Sequence, residues 1–383
     1  MTTLISFLGK GRIDPRTGYR TARYRFEDNS VREVPFFGLA LADYLKPEKI
    51  ILIGTAGSMW DVFFEQQGEL DEALIDAVAA ERVDEELLTR HQERLTEKLD
   101  IPIRCVLIPY ARDDAEQIAI LKHMAGEVRE RETIALDVTH GFRHLPMLAL
   151  VAARYLKHVA RVDIEDIYYG ALEMTPPGGE TPVLRLGGML TLLDWVEALA
   201  TYAKDGDYGV FTPLLDKDGM SNARQLAQAA FFERTSNPVK SREKLTTASQ
   251  ALGAHTSPMT ELFKYELKKR IAWHRGKDRH EWELSLADAY LERRDYVRAA
   301  IFLYEAFVSR AASEQGLSQN DYDQREMAWQ RAKQNTPGAR KLEYLRNALT
   351  HGVKPNDKKI ADLVCDETRM KEALQNFRRE LFG

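Results

Sequence analysis

Thr133-Ile134-Ala135-Leu136-Asp137-Val138-Thr139-His140-Gly141-Phe142-Arg143 decides the fold. Thr133–Val138 is a short, largely apolar run of strand length, and small, polar and basic residues follow it without a break. Two more runs share this design. Leu4–Gly9 leads into Lys10-Gly11-Arg12, and Lys49–Gly54 leads into Thr55-Ala56-Gly57-Ser58-Met59-Trp60. Ile101–Ile108 is a further strand between Pro102 and Pro109, Ile164–Met174 and Val183–Leu186 follow, and Tyr19–Phe26 reads as an exposed strand or hairpin arm. Helical periods separate them at Phe36–Leu45, Asp61–Leu99, Asp114–Arg131 and Leu145–His158. Near-continuous apolar strands alternating with helices predict a mostly parallel sheet covered on both faces, a Rossmann-like α/β domain over residues 1–188. Thr175-Pro176-Pro177-Gly178-Gly179 reads as a hairpin or edge loop within it.

From Met189 onward the apolar period lengthens to that of helices. Helices are expected at Leu190–Ala203, Ser221–Glu233, Ser241–Leu252, Pro258–His274, Trp282–Glu292, Tyr296–Glu314, Ala339–His351 and about Asp357–Leu381. The fold class is therefore α/β plus all-α.

The chain has 383 residues, 44% hydrophobic and 30% charged, which excludes wholesale disorder and suits two domains. No run of 18 apolar residues occurs, so no membrane span is expected. The start lacks a charged segment of the secretory kind. Cys105 and Cys365 form neither a metal-ligand spacing nor a disulfide framework, so no metal is expected and a reducing cytoplasm is the expected location. The net charge of −5 divides into −8 over residues 1–190 and +3 over 191–383. Asp61–Asp100 alone carries −9, whereas Gly9–Phe26 is basic. Bulk charge does not coat nucleic acid here, so any anion must be held by local groups.

Open parallel sheets bind ligands at the carboxyl ends of their strands. Three such ends here carry glycines with polar or basic neighbours: Gly9 and Lys10; Gly54, Thr55 and Ser58; and Asp137, Thr139, His140, Gly141 and Arg143. Glycines let a backbone approach an anion, and exposed N–H groups, hydroxyls and cations donate to phosphate oxygens. His140 and Trp60 are candidates to stack on a base. Neither a dinucleotide fingerprint nor a P-loop is present. Read alone, the Gly54–Ser58 stretch is as consistent with a tight turn, and Asp137 with a helix cap.

Arg346-Asn347-Ala348-Leu349-Thr350-His351-Gly352 marks a second site. An arginine separated from a following histidine by four to six intervening residues arises about twice by chance in a chain of this composition. It does occur twice, the other being Arg275 to His280. That second pair crosses Gly276-Lys277-Asp278, a poor helix interior. The first sits on a helical face of Leu342, Leu345, Ala348 and Leu349, with Gly352 where a helix-ending glycine belongs. Five residues on a helix give about 7.5 Å of rise and about 140° of turn, so Arg346 and His351 do not share a stripe. A loosened last turn at Gly352 or a two-fold partner would have to bring them together. Histidine trades a proton near neutral pH, guanidinium holds phosphate, and RNA supplies its own 2′-OH nucleophile. The structural alternative gives His351 to the helix dipole and Arg346 to a surface carboxylate.

Together these features resemble the CARF–HEPN ribonucleases of type III CRISPR systems. Leu136–Arg143 matches the CARF strand-four signature, Leu52–Asp61 resembles a segment of one subfamily, and Arg346…His351, with a polar Asn347, is similar to the HEPN motif. The resemblance implies a cyclic-oligoadenylate activator bound across two CARF domains. It also implies a metal-independent single-stranded RNA endoribonuclease in antiviral defence, leaving a 2′,3′-cyclic phosphate, with Arg346, Asn347 and His351 of each subunit in one composite site. Gly9, Lys10, Gly54, Thr55, Ser58, Asp137, Thr139, His140, Gly141 and Arg143 are carried over as ligand contacts. A homodimer or higher even oligomer is implied, with no cofactor beyond the activator. The implied domains are a CARF-like 1–188, a helical linker 189–294 and a HEPN-like 295–383. The alternatives are a ligand-sensing transcriptional regulator without nuclease activity, and a CARF domain that cleaves its own activator with help from Thr139, His140 and Lys10.

Overall fold

The computed structural model describes residues 2–11, 13–14, 18–66, 71–141, 145–352 and 357–383. Arg143, with its neighbours Phe142 and His144, lies outside the described residues. The chain divides between Thr191 and Leu192 into two units.

The first unit is built on strands β1 (Thr2–Phe7), β2 (Ile13–Asp14), β3 (Gly18–Tyr19), β4 (Ala22–Arg25), β5 (Val31–Val34), β6 (Lys49–Gly54), β7 (Ile103–Leu107), β8 (Thr133–Asp137), β9 (Asp163–Gly170) and β10 (Thr181–Arg185). β2 and β3 form a small ladder of their own. The other eight form one sheet in the order β5-β4-β10-β9-β8-β1-β6-β7. The block from β9 to β7 is parallel throughout. β10 runs antiparallel to β9, and β4 and β5 form an antiparallel hairpin at the edge. The strand side chains alternate between faces. Leu4, Ile50 and Leu52 enter one core with Phe36, Phe37, Leu74 and Leu88, while Ile5, Ile51, Ile53 and Leu136 enter the other with Ile120, Met124 and Ala153. Two covered faces are why these strands read as unbroken apolar runs.

Among its described residues the acidic stretch is three helices, Val62–Glu65, Glu72–Ala79 and Glu85–Leu99. Part of its charge is capping. Asp71 and Asp84 accept from the N–H groups of Leu74 and Leu87. The helix expected to reach His158 is α-helical over Leu145–Tyr155 and passes into a π-helical turn at Leu156–Ala160. β5 escapes sequence reading, because Val31–Val34 is a half-exposed edge strand with little apolar pattern.

The second unit holds two helical cores. Trp195, Phe211, Leu226, Leu245 and Leu267 form one, carried on Gly187–Asp205, Arg224–Arg234, Pro238–Ala254 and Pro258–Arg270. Leu286, Tyr290, Phe302, Trp329, Leu342, Leu345 and Leu374 form the other, on Arg279–Glu292, Tyr296–Glu314, Tyr322–Asn335, Pro337–His351 and Glu367–Phe382. The second of these cores extends back across residue 294. Arg279–Glu292 gives Leu286, Ala287 and Tyr290 to the C-terminal core and belongs with it. Tyr322–Asn335 is a helix that the sequence hides, because it buries only Arg325, Ala328 and Trp329 of fourteen mostly polar residues.

Candidate functional site

β8, β1 and β6 lie side by side and parallel, so their three carboxyl ends open at one edge. The sheet register sets Ser6 opposite Asp137. The Ser6 hydroxyl donates to Asp137 Oδ2 at 2.5 Å, and the Thr139 N–H donates to Oδ1 at 2.8 Å. Gly170 N–H donates to Thr139 Oγ1 at 2.8 Å. Ser58 Oγ donates to the Leu8 carbonyl and accepts from the Thr55 N–H, both at 2.9 Å, and Met59 N–H donates to the Gly9 carbonyl. Thr55 and Ser58 are buried, tying the β6 loop to the end of β1.

The glycines serve close packing. A Cβ on Gly9 would lie 3.2 Å from Gly141 Cα and 3.3 Å from the His140 carbonyl carbon, and nearer still to Gly141 N. A Cβ on Gly54 would lie 2.8 Å from the Trp60 ring. Gly141 has φ +115, a conformation that side chains disfavour. The structure therefore brings Gly9, Gly54, Thr55, Ser58, Asp137, Thr139, His140 and Gly141 into one cluster, with each backbone held by its neighbours.

Charge in the cluster is constrained. Asp137 is fully buried, which pushes its carboxyl up to about 6 against the pull of its hydrogen bonds from Ser6 and Thr139. Phe37 N–H, at the start of helix Phe37–Leu45, donates to His140 Nε2 at 3.0 Å, which requires the neutral ring with its proton on Nδ1. Burial pushes this imidazole down to about 4. Base stacking by Trp60 is corrected here. Trp60 is 3% exposed and donates Nε1–H to the Thr55 carbonyl, and His140 leans on Phe36 with ring centroids 5.3 Å apart. Lys10 is exposed and pairs with Glu81 at 2.6 Å, and Tyr110 donates to the other Glu81 oxygen at 3.1 Å. Any phosphate reaching Lys10 competes with that carboxylate. Sequence reasoning misses Ser6, Phe37 and Glu81. A serine inside the run Leu4–Leu8 was the one available signal.

In the second unit, helix Pro337–His351 ends at Gly352 in the left-handed conformation (φ +62), whose N–H returns to the Ala348 carbonyl at 3.1 Å. The helix stays regular through His351, so the loosened last turn does not occur. Leu342 and Leu345 are fully buried, each worth roughly 1.5–3 kcal/mol of anchoring. Arg346 is half-buried, with its guanidinium carbon 4.2 Å from the centre of the Tyr304 ring. Among the described residues it has no carboxylate within ion-pair distance. A guanidinium over an aromatic ring has further N–H donors for an anion. Asn347 is half-buried, and His351 is exposed at the helix end. The chance pair Arg275 and His280 is broken by Gly276, as its sequence implied. Tyr304 escapes sequence reading because it lies 42 residues upstream on Tyr296–Glu314.

Residues 3–173 match the family model for the CARF domain of the CRISPR system endoribonuclease Csx1. The match spans most of the first unit. The chain is also 26% identical over 326 residues to the CRISPR-associated protein MJ1674 of Methanocaldococcus jannaschii. That alignment covers 77% of this chain and 51% of the relative, so the chain spans about half the length of the curated protein it matches. Both the family model and the relative are described as CRISPR proteins. The CARF match ends before the helical unit that holds Arg346, Asn347 and His351. Among the described residues no helix is long and apolar enough to cross a membrane.

Proposed function

We propose that this protein is a type III CRISPR single-stranded RNA endoribonuclease switched on by a cyclic oligoadenylate. The observation that carries the reading is the helix end in the second unit. Arg346 lies over Tyr304 with no carboxylate among the described residues to neutralise it, and an exposed His351 closes the same helix in a chain whose first unit matches a CARF family model.

In this reading the strand-end cluster takes the activator. Backbone amides and Lys10 receive its phosphates, and Asp137 holds the β8 loop through Ser6 and Thr139. In the helical unit His351 moves the proton of the 2′-OH or of the leaving oxygen. Arg346 holds the scissile phosphate and its growing charge, and Asn347 donates beside it. About 140° of turn between Arg346 and His351 means that one helix end presents them apart, so a composite site from two copies in a homodimer is part of the proposal. Activation requires the cyclic ligand to bind the cutting arrangement more tightly than the resting one.

The test is cleavage of single-stranded RNA by the full chain with cyclic tri-, tetra- or hexa-adenylate present and divalent metal chelated. Wild type is expected to cleave with one of these rings and His351→Ala to lose cleavage. Undiminished turnover by His351→Ala removes that residue from the mechanism.

A further inference from the structure

We infer that Tyr344 is a substrate-binding residue that stacks on a base of the RNA beside the cut. This rests on the reading proposed above and adds a residue to its site.

Tyr344 is 58% exposed on helix Pro337–His351. A single exposed aromatic residue is ordinary on a protein surface. Its position sets this one apart. Seven residues separate it from His351, which on a helix is about 20° of angular offset and about 10.5 Å of rise. Arg340, Tyr344, Asn347 and His351 thus form one stripe along the helix, with Lys341 at its margin. Arg340, Lys341, Tyr344 and His351 are all exposed. The helix's own acid, Glu343, lies about 100° from Tyr344 and flanks the stripe beside Asn347, on the side away from Lys341. The opposite side is tied down by Leu342 and Leu345, so the stripe is held rigidly outward.

Two cations, then an aromatic face, then an amide and an imidazole is an arrangement suited to a single strand. Cations follow the backbone, and a tyrosine ring takes any base on its π face. Stacking at Tyr344 would fix the nucleotide next to the phosphate that His351 serves. Because every base has such a face, this contact adds affinity and register more than sequence choice.

The experiment uses the full-length chain with its cyclic-oligoadenylate activator. Cleavage kinetics are measured on single-stranded RNA, and fluorescence on an uncleavable 2′-O-methyl strand carrying 2-aminopurine, whose emission falls on stacking. Tyr344→Ala is expected to raise KM about five- to a hundred-fold with kcat nearly unchanged, and to abolish the quenching. Tyr344→Phe keeps the ring and is expected to behave as wild type in both. Quenching and KM that survive Tyr344→Ala, in a chain whose cleavage is lost with His351→Ala, overturn the stacking alone. A wild-type chain that neither cleaves the RNA nor quenches the probe overturns the stacking together with the function it rests on.

Discussion

The variant Gly9→Ala adds one methyl group where the loops after β1 and β8 touch. Its Cβ would sit 3.2 Å from Gly141 Cα and 3.3 Å from the His140 carbonyl carbon, with Gly141 N closer still. Ordinary contact begins several tenths of an ångström farther out, and all three atoms are backbone, so no rotamer change relieves the clash. Retreat is blocked on one side by the Ser6–Asp137 hydrogen bond and the β1–β8 ladder, and on the other by Met59 N–H on the Gly9 carbonyl. Overpacking of this kind costs about 1–3 kcal/mol. Urea unfolding of the full chain, followed by circular dichroism, reads that loss as an earlier transition of the first unit. Cyclic-oligoadenylate binding is expected to weaken with it, because the Gly141 loop must shift. A Gly9→Ala protein with wild-type unfolding would refute the packing argument and return Gly9 to the role of a ligand contact alone.

Three further outcomes follow from the same geometry. Burial raises the Asp137 carboxyl from 3.8 to about 6, so its contribution to stability is full below 3.8 and lost as pH rises through 6, with each tenfold change in proton affinity worth about 1.4 kcal/mol. His140 is lowered from 6.5 to about 4, so its contribution is full above 6.5 and lost as pH falls toward 4. The two slopes oppose each other, and Asp137→Asn should expose a stability that climbs steeply from pH 4 to 6.5 in denaturant titrations; an unchanged pH profile contradicts the assignment. Tyr304→Leu removes the seat of Arg346, worth about 0.5–2 kcal/mol, and should slow RNA cleavage several-fold, whereas Tyr304→Phe retains the ring and most of the rate. Glu81→Gln frees Lys10 from its ion pair and should tighten activator binding in calorimetry; weaker binding would show that Glu81 supports the site.

Local pattern was enough for much of this molecule. Residues buried on both faces must be apolar without interruption, so β1, β6, β7 and β8 stood out, and their polar carboxyl ends marked the candidate ligand site. The apolar face Leu342, Leu345 and Ala348 with Gly352 behind it separated Arg346…His351 from the chance pair at Arg275, since a helix needs both a packed side and a stop. Half-exposed elements such as Val31–Val34 and Tyr322–Asn335 left no such pattern, because little of them is buried.

The sequence by itself determined the buried central strands, where the glycines and the Arg346–His351 helix end fall, and that the chain changes from α/β to helical near residue 190, because each follows from short-range periodicity. The tertiary structure alone decided that Ser6 meets Asp137, that Phe37 N–H donates to His140, that Trp60 is buried and that Arg346 lies on Tyr304. Each of those pairs joins residues distant in the chain or depends on which face meets which, and only sheet register and helix packing settle that.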